Sequence, residues 1–222
     1  MTALEWDKVG DRRYETGIER GVLYLRDGGA VPWNGLISVA ETRSREVKSY
    51  YLDGVKYLDH HVPGSYAASL SAFTYPDELE TLLGTPQYAP GVFLHDQSAK
   101  SFHLSYRTLV GNDVEGTEHG YKLHIVYNVL AVSGDPTFAT MSDSPEAQAF
   151  DFSLTGTPAT MFGIRPTSHI SLDSRLIDSQ LLSDLEKVLY GAPPSLEGDP
   201  PELVANDPYL PDIVELLAMV PV

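Results

Sequence analysis

The chain has 222 residues, of which 42% are hydrophobic and 21% charged, a composition typical of a folded globular protein rather than a disordered one. Its formal net charge of −16 argues against a protein that binds nucleic acid by neutralising phosphates. The charge fits a protein that stays soluble, or one that stays near DNA without binding it. The absence of cysteine excludes disulfides, thiolate metal sites and cysteine nucleophiles, and no apolar run approaches the ~20 residues of a membrane-spanning helix.

The first segment in chain order, residues 1–20, has no clean periodicity, and we interpret it as an N-terminal arm. Residues 21–190 contain about seven segments in which apolar and polar residues alternate, separated by turns that contain glycine and proline. Alternation of this kind is typical of strands with one buried face. We therefore predict a mainly β domain, an antiparallel sandwich or open barrel packed by a flanking α-helix.

A hairpin is predicted within residues 36–75, and its connection, residues 49–64, is much longer than a turn requires. Long connections in compact domains are usually functional or disordered. This one contains too many apolar and aromatic side chains to remain in contact with water, so we expect it to fold onto a partner chain. The candidate contact residues are Tyr50, Tyr51, Leu52, Val55, Tyr57, His60 and His61.

The most strongly patterned stretch is residues 101–133, where two alternating runs flank a polar connection that contains glycine. The pattern predicts a long hairpin with one buried face and one wet face, and it assigns His103 and His124 to the wet face. With Glu115, Glu118 and His119 nearby, a divalent metal site can be drawn there. The spacing matches no standard ligand pattern, so we expect neither a metal site nor a cofactor.

Catalytic signatures are not found. Two further polar groups, Asp59-His60-His61 and His95-Asp96, are not accompanied by a serine in a nucleophile-elbow setting, and the glycines belong to turns rather than to a phosphate loop. We therefore expect no enzymatic activity. The 13 tyrosines also allow a carbohydrate-binding surface, although many of them lie on alternating apolar faces and are more simply core residues.

The C-terminal part begins with the clearest helix of the chain, residues 180–190, which Asp178 or Ser179 caps and Gly191 ends. Residues 191–222 are rich in proline, and we interpret them as a linker followed by a short C-terminal helix. The predicted apolar stripe of the first helix consists of Leu181, Leu185, Val188 and Leu189.

Several short sequence phrases, spread in order over most of residues 5–191, carry a resemblance to a known family. They include GIERGVLY at 17–24, AFTYPDE at 72–78, SYRT at 105–108, GYKLH at 120–124 and DSPE at 143–146. In these phrases the chain resembles the major tail protein, or tail tube protein, of long-tailed non-contractile bacteriophages, particularly those of actinobacteria. The phrases are structural rather than catalytic.

The resemblance implies a structural virion protein of the phage tail, present in the host cytoplasm during assembly. Six subunits would form a ring whose inner strands join into one β-barrel, and rings would stack into a hollow tube around a tape measure protein. Tail terminator and tail-tip proteins would bound the tube, and DNA would pass through it at ejection without sequence-specific binding. The alternative is a tail-tip or receptor- or carbohydrate-binding module.

A smooth bore requires small polar side chains, and the strand at residues 65–71 offers such a face. Glu41 and Glu46 lie on opposite faces of their predicted strand, so only one of them can share a given surface. An acidic bore would repel phosphate and keep DNA mobile, whereas basic residues would bind it. The candidate lumen residues are Glu41, Glu46, Ser65, Ser69 and Ser71.

Overall fold

The computed structural model describes residues 4–43, 47–61, 65–136, 138, 140, 148–159, 165–197 and 202–220. The described part is mainly β, with antiparallel strand pairing and three helices. The strands are β1 (Arg13–Tyr24), β2 (Ala30–Trp33), β3 (Leu36–Arg43), β4 (Val47–Leu52), β5 (Val55–His61), β6 (Tyr66–Ala72), β7 (Gln87–Ala89), β8 (Val92–Phe93), β9 (Phe102–Asn112), β10 (Gly116–Ser133), β11 (Phe150–Gly156), β12 (His169–Asp173), β13 (Ala192–Glu197) and β14 (Glu202–Asn206). The helices are α1 (Glu78–Leu82), α2 (Ser179–Tyr190) and α3 (Ile213–Met219).

Eight strands form the main sheet, in the order β2-β1-β9-β10-β11-β6-β3, with β12 also paired to β10. The 18-residue strand β10 is long enough to pair with β12 through Lys122–Val126 and with β11 through Val129–Ser133. The sheet curls so that β1 and β3 approach each other. A side chain at Gly21 of β1 would collide with Leu36 of β3. The prediction of a mainly β, antiparallel fold is confirmed.

Hydrophobic residues cover both faces of the central strands β9 and β10, which therefore separate two cores. The first core includes Leu23, Trp33, Leu70, Phe102, Leu104, Tyr106, Val126 and Phe152. The second core lies under α2 and α3 and includes Val22, Tyr24, Leu123, Ile125, Tyr127, Leu185, Leu189, Ile213 and Leu216. Strands covered on both faces lose the alternation between buried and wet positions.

The prediction that His103 and His124 both lie on a wet face is wrong. Directly paired residues of an antiparallel ladder share a face, and His124 pairs with Tyr106, whose ring stacks on its imidazole at 4.8 Å. His103 instead packs against the ring of Tyr127, which belongs to the second core. The two histidines lie on opposite faces of the sheet, and both faces are covered. The first core and Glu41 of β3 lie on the side of His124, and the second core with α2 and α3 lies on the side of His103.

Helix α2 begins as predicted. The side chain of Asp178 accepts hydrogen bonds from the backbone N–H groups of Gln180 and Leu181, and Gly191 follows the helix with a φ of 77°. Its buried stripe consists of Leu182, Leu185 and Leu189, so two predicted members of the stripe, Leu181 and Val188, are only half-buried.

The segments interpreted as appendages belong largely to the folded body. Strand β1 begins at Arg13, inside the predicted arm, because its first half pairs with β9. The predicted linker contains the β13–β14 hairpin, and α3 then packs into the second core. The hydroxyl of Tyr127 donates a hydrogen bond to the carbonyl of Pro211 at 3.1 Å, which fixes the approach to α3. Among the described residues, no helix has both the length and the apolar character needed to cross a membrane.

Candidate functional site

Strands β4 and β5 form a two-stranded sheet of their own, which we call the 47–61 hairpin. The turn between them is Asp53-Gly54, and both residues have positive φ angles, 50° and 76°. Two-residue turns of this kind match the twist of paired strands, and Asp-Gly is a preferred sequence for them. The described part of the predicted long loop therefore belongs to a hairpin, and the Asp-Gly signal at its centre could have identified it.

One face of the 47–61 hairpin is apolar. The cross-strand pairs Tyr50–Leu58 and Leu52–Val55 lie on this face, since directly opposed residues point to the same side. The four side chains are between 44% and 70% exposed. Two-stranded hairpins are marginally stable in water, and they gain stability when a hydrophobic face packs against another element.

The opposite face of the hairpin is held by polar contacts. The hydroxyl of Ser49 donates a hydrogen bond to Asp59 Oδ1 at 2.6 Å, and Lys56 Nζ lies 2.7 Å from Asp59 Oδ2. These contacts hold Ser49, Lys56 and Asp59 on the face opposite to the pairs Tyr50–Leu58 and Leu52–Val55.

The contact residues predicted from the sequence lie on both faces of the 47–61 hairpin. His60 pairs with Lys48 on the apolar face, whereas Tyr51 pairs with Lys56 on the polar one. Tyr57 is the extra residue at a register shift between the strands and is 68% exposed. The backbone of His61 pairs with Val47, and its side chain lies outside the described residues.

The outward face of β3, β6 and β11 is lined by small side chains. Ser69 pairs with Ala40 on one side and Ser153 on the other, and Ser71 is flanked by Ser38 and Asp151. The residues of this polar face are Ser38, Ala40, Thr42, Ala67, Ser69, Ser71, Asp151, Ser153 and Thr155. Asp151 is the charged member of this set and accepts a hydrogen bond from the hydroxyl of Ser71.

Two of the candidate lumen serines, Ser69 and Ser71, lie on this polar face, and Ser65 is exposed just before β6. Glu41 does not share it. Glu41 pairs with Ala68, which faces the first core, and its side chain is only 17% exposed. Glu46 lies outside the described residues.

Glu41 instead meets two histidines, and the three residues form what we call the Glu–His–His cluster. Glu41 comes from β3, His124 from β10 and His169 from β12. Glu41 Oε1 lies 3.5 Å from His124 Nδ1 and 3.7 Å from His169 Nε2, and the two ring nitrogens are 3.1 Å apart. Burial, assisted by the neighbouring His169, lowers the pKa of His124 to about 4, so its ring is neutral at pH 7.

The Glu–His–His cluster was not found from the sequence. Its members are far apart in the chain, and each lies on a different strand. Only the sheet pairing and its curl bring Glu41 over the β10–β12 ladder, and a single sequence carries no local signal for such a contact.

A second polar cluster joins the sheet to α2. Arg107 on β9 donates hydrogen bonds to Glu19 on β1 and to Glu186 on α2, the latter at 3.1 Å. The guanidinium lies 4.0 Å from the centre of the Tyr121 ring, and the Tyr121 hydroxyl donates to Glu186 at 2.8 Å. Arg107 is 9% exposed, so this cation is compensated by two carboxylates and an aromatic ring.

Comparisons with known proteins give distant likenesses only. No protein-family model and no curated protein sequence matches the chain. One similar solved chain belongs to the sheath–tube complex of an extracellular contractile injection system (PVC) in its extended state, with 17% identity and a TM-score of 0.40 over 69% of this chain and 88% of that one.

Two further solved chains come from terminating structures. The anti-feeding prophage cap, a tube-terminating cap, has 11% identity and a TM-score of 0.41 over 78% of this chain and 95% of that one. The sheath/tube terminator of the PVC injection system in its extended state has 12% identity and a TM-score of 0.40 over 77% and 99%. At these identities and TM-scores the likenesses carry no conclusion about function.

Proposed function

We propose that this chain is a structural subunit of a phage tail that assembles with copies of itself into stacked rings and so forms a hollow tube. The observation that carries the proposal is the 47–61 hairpin, whose apolar face is open to solvent. Exposed apolar surface of this kind marks interaction sites. The resemblance of residues 5–191 to tail tube proteins supports the same function.

A second copy of the chain is the proposed occupant of the apolar face. The body of the chain also exposes apolar side chains, among them Tyr88, Val92, Phe93 and Leu94 around the β7–β8 pair. One molecule therefore carries both an apolar hairpin and a separate apolar surface. A contact between two different surfaces of identical subunits is heterologous, and repetition of it extends a stack of rings.

The polar face of β3, β6 and β11 is the proposed wall of the bore. Its small hydroxyl and methyl groups give a smooth surface, and Asp151 supplies one negative charge per subunit. A basic residue repeated around each ring would bind DNA phosphates, whereas this face carries no Lys or Arg among its nine residues. The proposed lumen therefore includes Ser69 and Ser71 and excludes Glu41.

The remaining partners follow from the proposed assembly. Six copies per ring would surround a tape measure protein, tail terminator and tail-tip proteins would close the two ends, and DNA would cross the bore without sequence-specific contacts. The subunit would act in the virion tail after assembly in the host cytoplasm, without catalytic activity.

The test is direct. The purified chain is examined over a concentration series by sedimentation and negative-stain electron microscopy. We expect rings and hollow tubes above a critical concentration. Rings that never stack would favour a terminator or cap, a small oligomer with saturable sugar binding would favour the tail-tip alternative, and a monomer at every concentration would overturn the proposal.

A further inference from the structure

We propose that Glu41, His124 and His169 form a binding site for a divalent transition-metal ion and that Zn²⁺ is the ion their geometry fits. The ligand atoms are Glu41 Oε1, His124 Nδ1 and His169 Nε2. Two imidazoles and one carboxylate are an established ligand set for zinc in proteins, with a fourth position left for water or another group. The inference is independent of the proposed tube function.

The spacing of the three ligand atoms matches a tetrahedral site. Their separations are 3.1, 3.5 and 3.7 Å. A point equidistant from all three in their common plane lies about 2.0 Å from each, which is the length of Zn–N and Zn–O bonds. An ion displaced slightly from that plane would keep these bond lengths and leave its fourth position open. The three ligand atoms therefore already have the separations that such an ion requires.

Neighbouring hydrogen bonds fix the orientation of His124. The Thr108 hydroxyl donates its proton to Glu15 Oε1 at 2.7 Å, so its oxygen accepts from the N–H at His124 Nε2, 3.1 Å away. Lys122 Nζ holds the other oxygen of Glu15 at 2.5 Å. The proton of His124 is therefore on Nε2, and the lone pair of Nδ1 points toward Glu41 and His169. Outer contacts of this kind orient the ligands of metal sites.

The carboxylate and the second imidazole are also held in place. The Tyr106 hydroxyl donates to Glu41 Oε1 at 2.6 Å, which fixes the position of that oxygen. The Tyr66 ring packs edge-on against His169 at 5.1 Å. Without an ion, His169 Nε2–H donates to His124 Nδ1. On binding, the ion takes the place of that proton, and His169 binds as the neutral imidazole with its proton on Nδ1.

A bound ion would connect three strands across the first core. Glu41 lies on β3, at one end of the main sheet, and the two histidines lie on the paired strands β10 and β12. Glu41 is also two residues before Arg43, where β3 ends ahead of the 47–61 hairpin. The ion would therefore fix the position of β3, the strand that precedes the 47–61 hairpin in the chain.

The experiment uses the full chain after removal of metal by a chelator. Co²⁺ is titrated and followed by its visible d–d absorption, and Zn²⁺ is titrated by calorimetry and thermal unfolding. We expect one ion per chain, a cobalt spectrum of four-coordinate intensity, micromolar or tighter affinity, and a melting temperature raised by several degrees with excess Zn²⁺.

Matched variants distinguish ion binding at the Glu–His–His cluster from adventitious binding elsewhere on the chain. His169→Gln and Glu41→Gln each remove one ligand while keeping a hydrogen-bonding group of similar shape, and we expect affinity to fall by about 100-fold or more. His119→Gln is the control, because His119 forms a separate pair with Glu115 at 2.6 Å. It should bind the ion as the unmodified chain does.

Two results would overturn the inference. One is an unmodified chain that binds neither ion at stoichiometric ratio, in which case the three groups share protons only. The other is a folded His169→Gln variant, verified by circular dichroism, whose affinity equals that of the unmodified chain.

Discussion

Replacing Leu52 and Val55 by threonine tests the role of the apolar hairpin face in self-assembly. The two side chains form a cross-strand pair and are 58% and 70% exposed. Threonine is a good strand former, so the hairpin itself is retained. Because neither residue is buried in the isolated subunit, we expect its free energy of unfolding to change by less than about 0.5 kcal/mol.

The effect on assembly should be much larger. Full burial of a Val or Leu side chain stabilises by about 1.5–3 kcal/mol, and the exposed fractions leave about 1–2 kcal/mol for each residue to gain at an interface. The pair then contributes about 2–4 kcal/mol for each hairpin that binds another subunit. Since ~1.4 kcal/mol corresponds to a tenfold change in an equilibrium constant, the critical concentration should rise by roughly 30-fold to several hundred-fold.

The assay measures the critical concentration by sedimentation, with electron microscopy to distinguish rings from tubes. Leu176→Thr is the matched control, because Leu176 is 85% exposed but lies in the turn before α2. We expect it to assemble normally. Unchanged assembly of the double variant, or an equal loss in the control, would refute the specific role of the hairpin.

Three further predictions concern the body of the subunit. Arg107→Met leaves the carboxylates of Glu19 and Glu186 without their cation, and we expect a loss of about 2–4 kcal/mol in urea unfolding, part of which Glu186→Gln restores in the double variant. Leu216→Ala, at a fully buried position of α3, should cost about 2–5 kcal/mol; a value near zero would show that the C-terminal segment is dispensable for folding. Ser69→Arg should leave subunit stability unchanged but make assembled tubes retain DNA at low salt and release it at high salt, and salt-independent behaviour equal to that of the unmodified tube would contradict the bore assignment.

The fold class was predictable because strand alternation and turn residues are local signals. Residues such as Phe102 and Leu104 alternate with polar ones, and helix α2 carries both its cap and its terminating glycine. The depth of burial was not predictable in the same way. The sequence pattern places Arg107 on a solvent-facing position, yet its side chain is buried. The carboxylates of Glu19 on β1 and Glu186 on α2 compensate its charge there.

The 47–61 hairpin and the Glu–His–His cluster illustrate two different limits of prediction from sequence. The Asp53-Gly54 turn was a readable signal that the length of the surrounding segment obscured. The meeting of Glu41 with His169, in contrast, depends on how the whole sheet curls, and pairing between distant strands has no counterpart in a local pattern. Local signals thus predicted the elements, and long-range geometry decided which side chains meet.

Strand β3 connects the proposed bore, the Glu–His–His cluster and the 47–61 hairpin, and its register determines all three. Ala40 and Thr42 face the polar surface, while Glu41 between them faces the first core and accepts the Tyr106 hydroxyl at 2.6 Å. A slip by one residue would exchange the two faces, placing Glu41 on the polar surface and burying Thr42. A half-buried carboxylate that finds its donors in only one register makes that slip costly. The polar contacts of Glu41 therefore specify which residues line the outer face and where the chain leaves for the hairpin, whether or not an ion is bound.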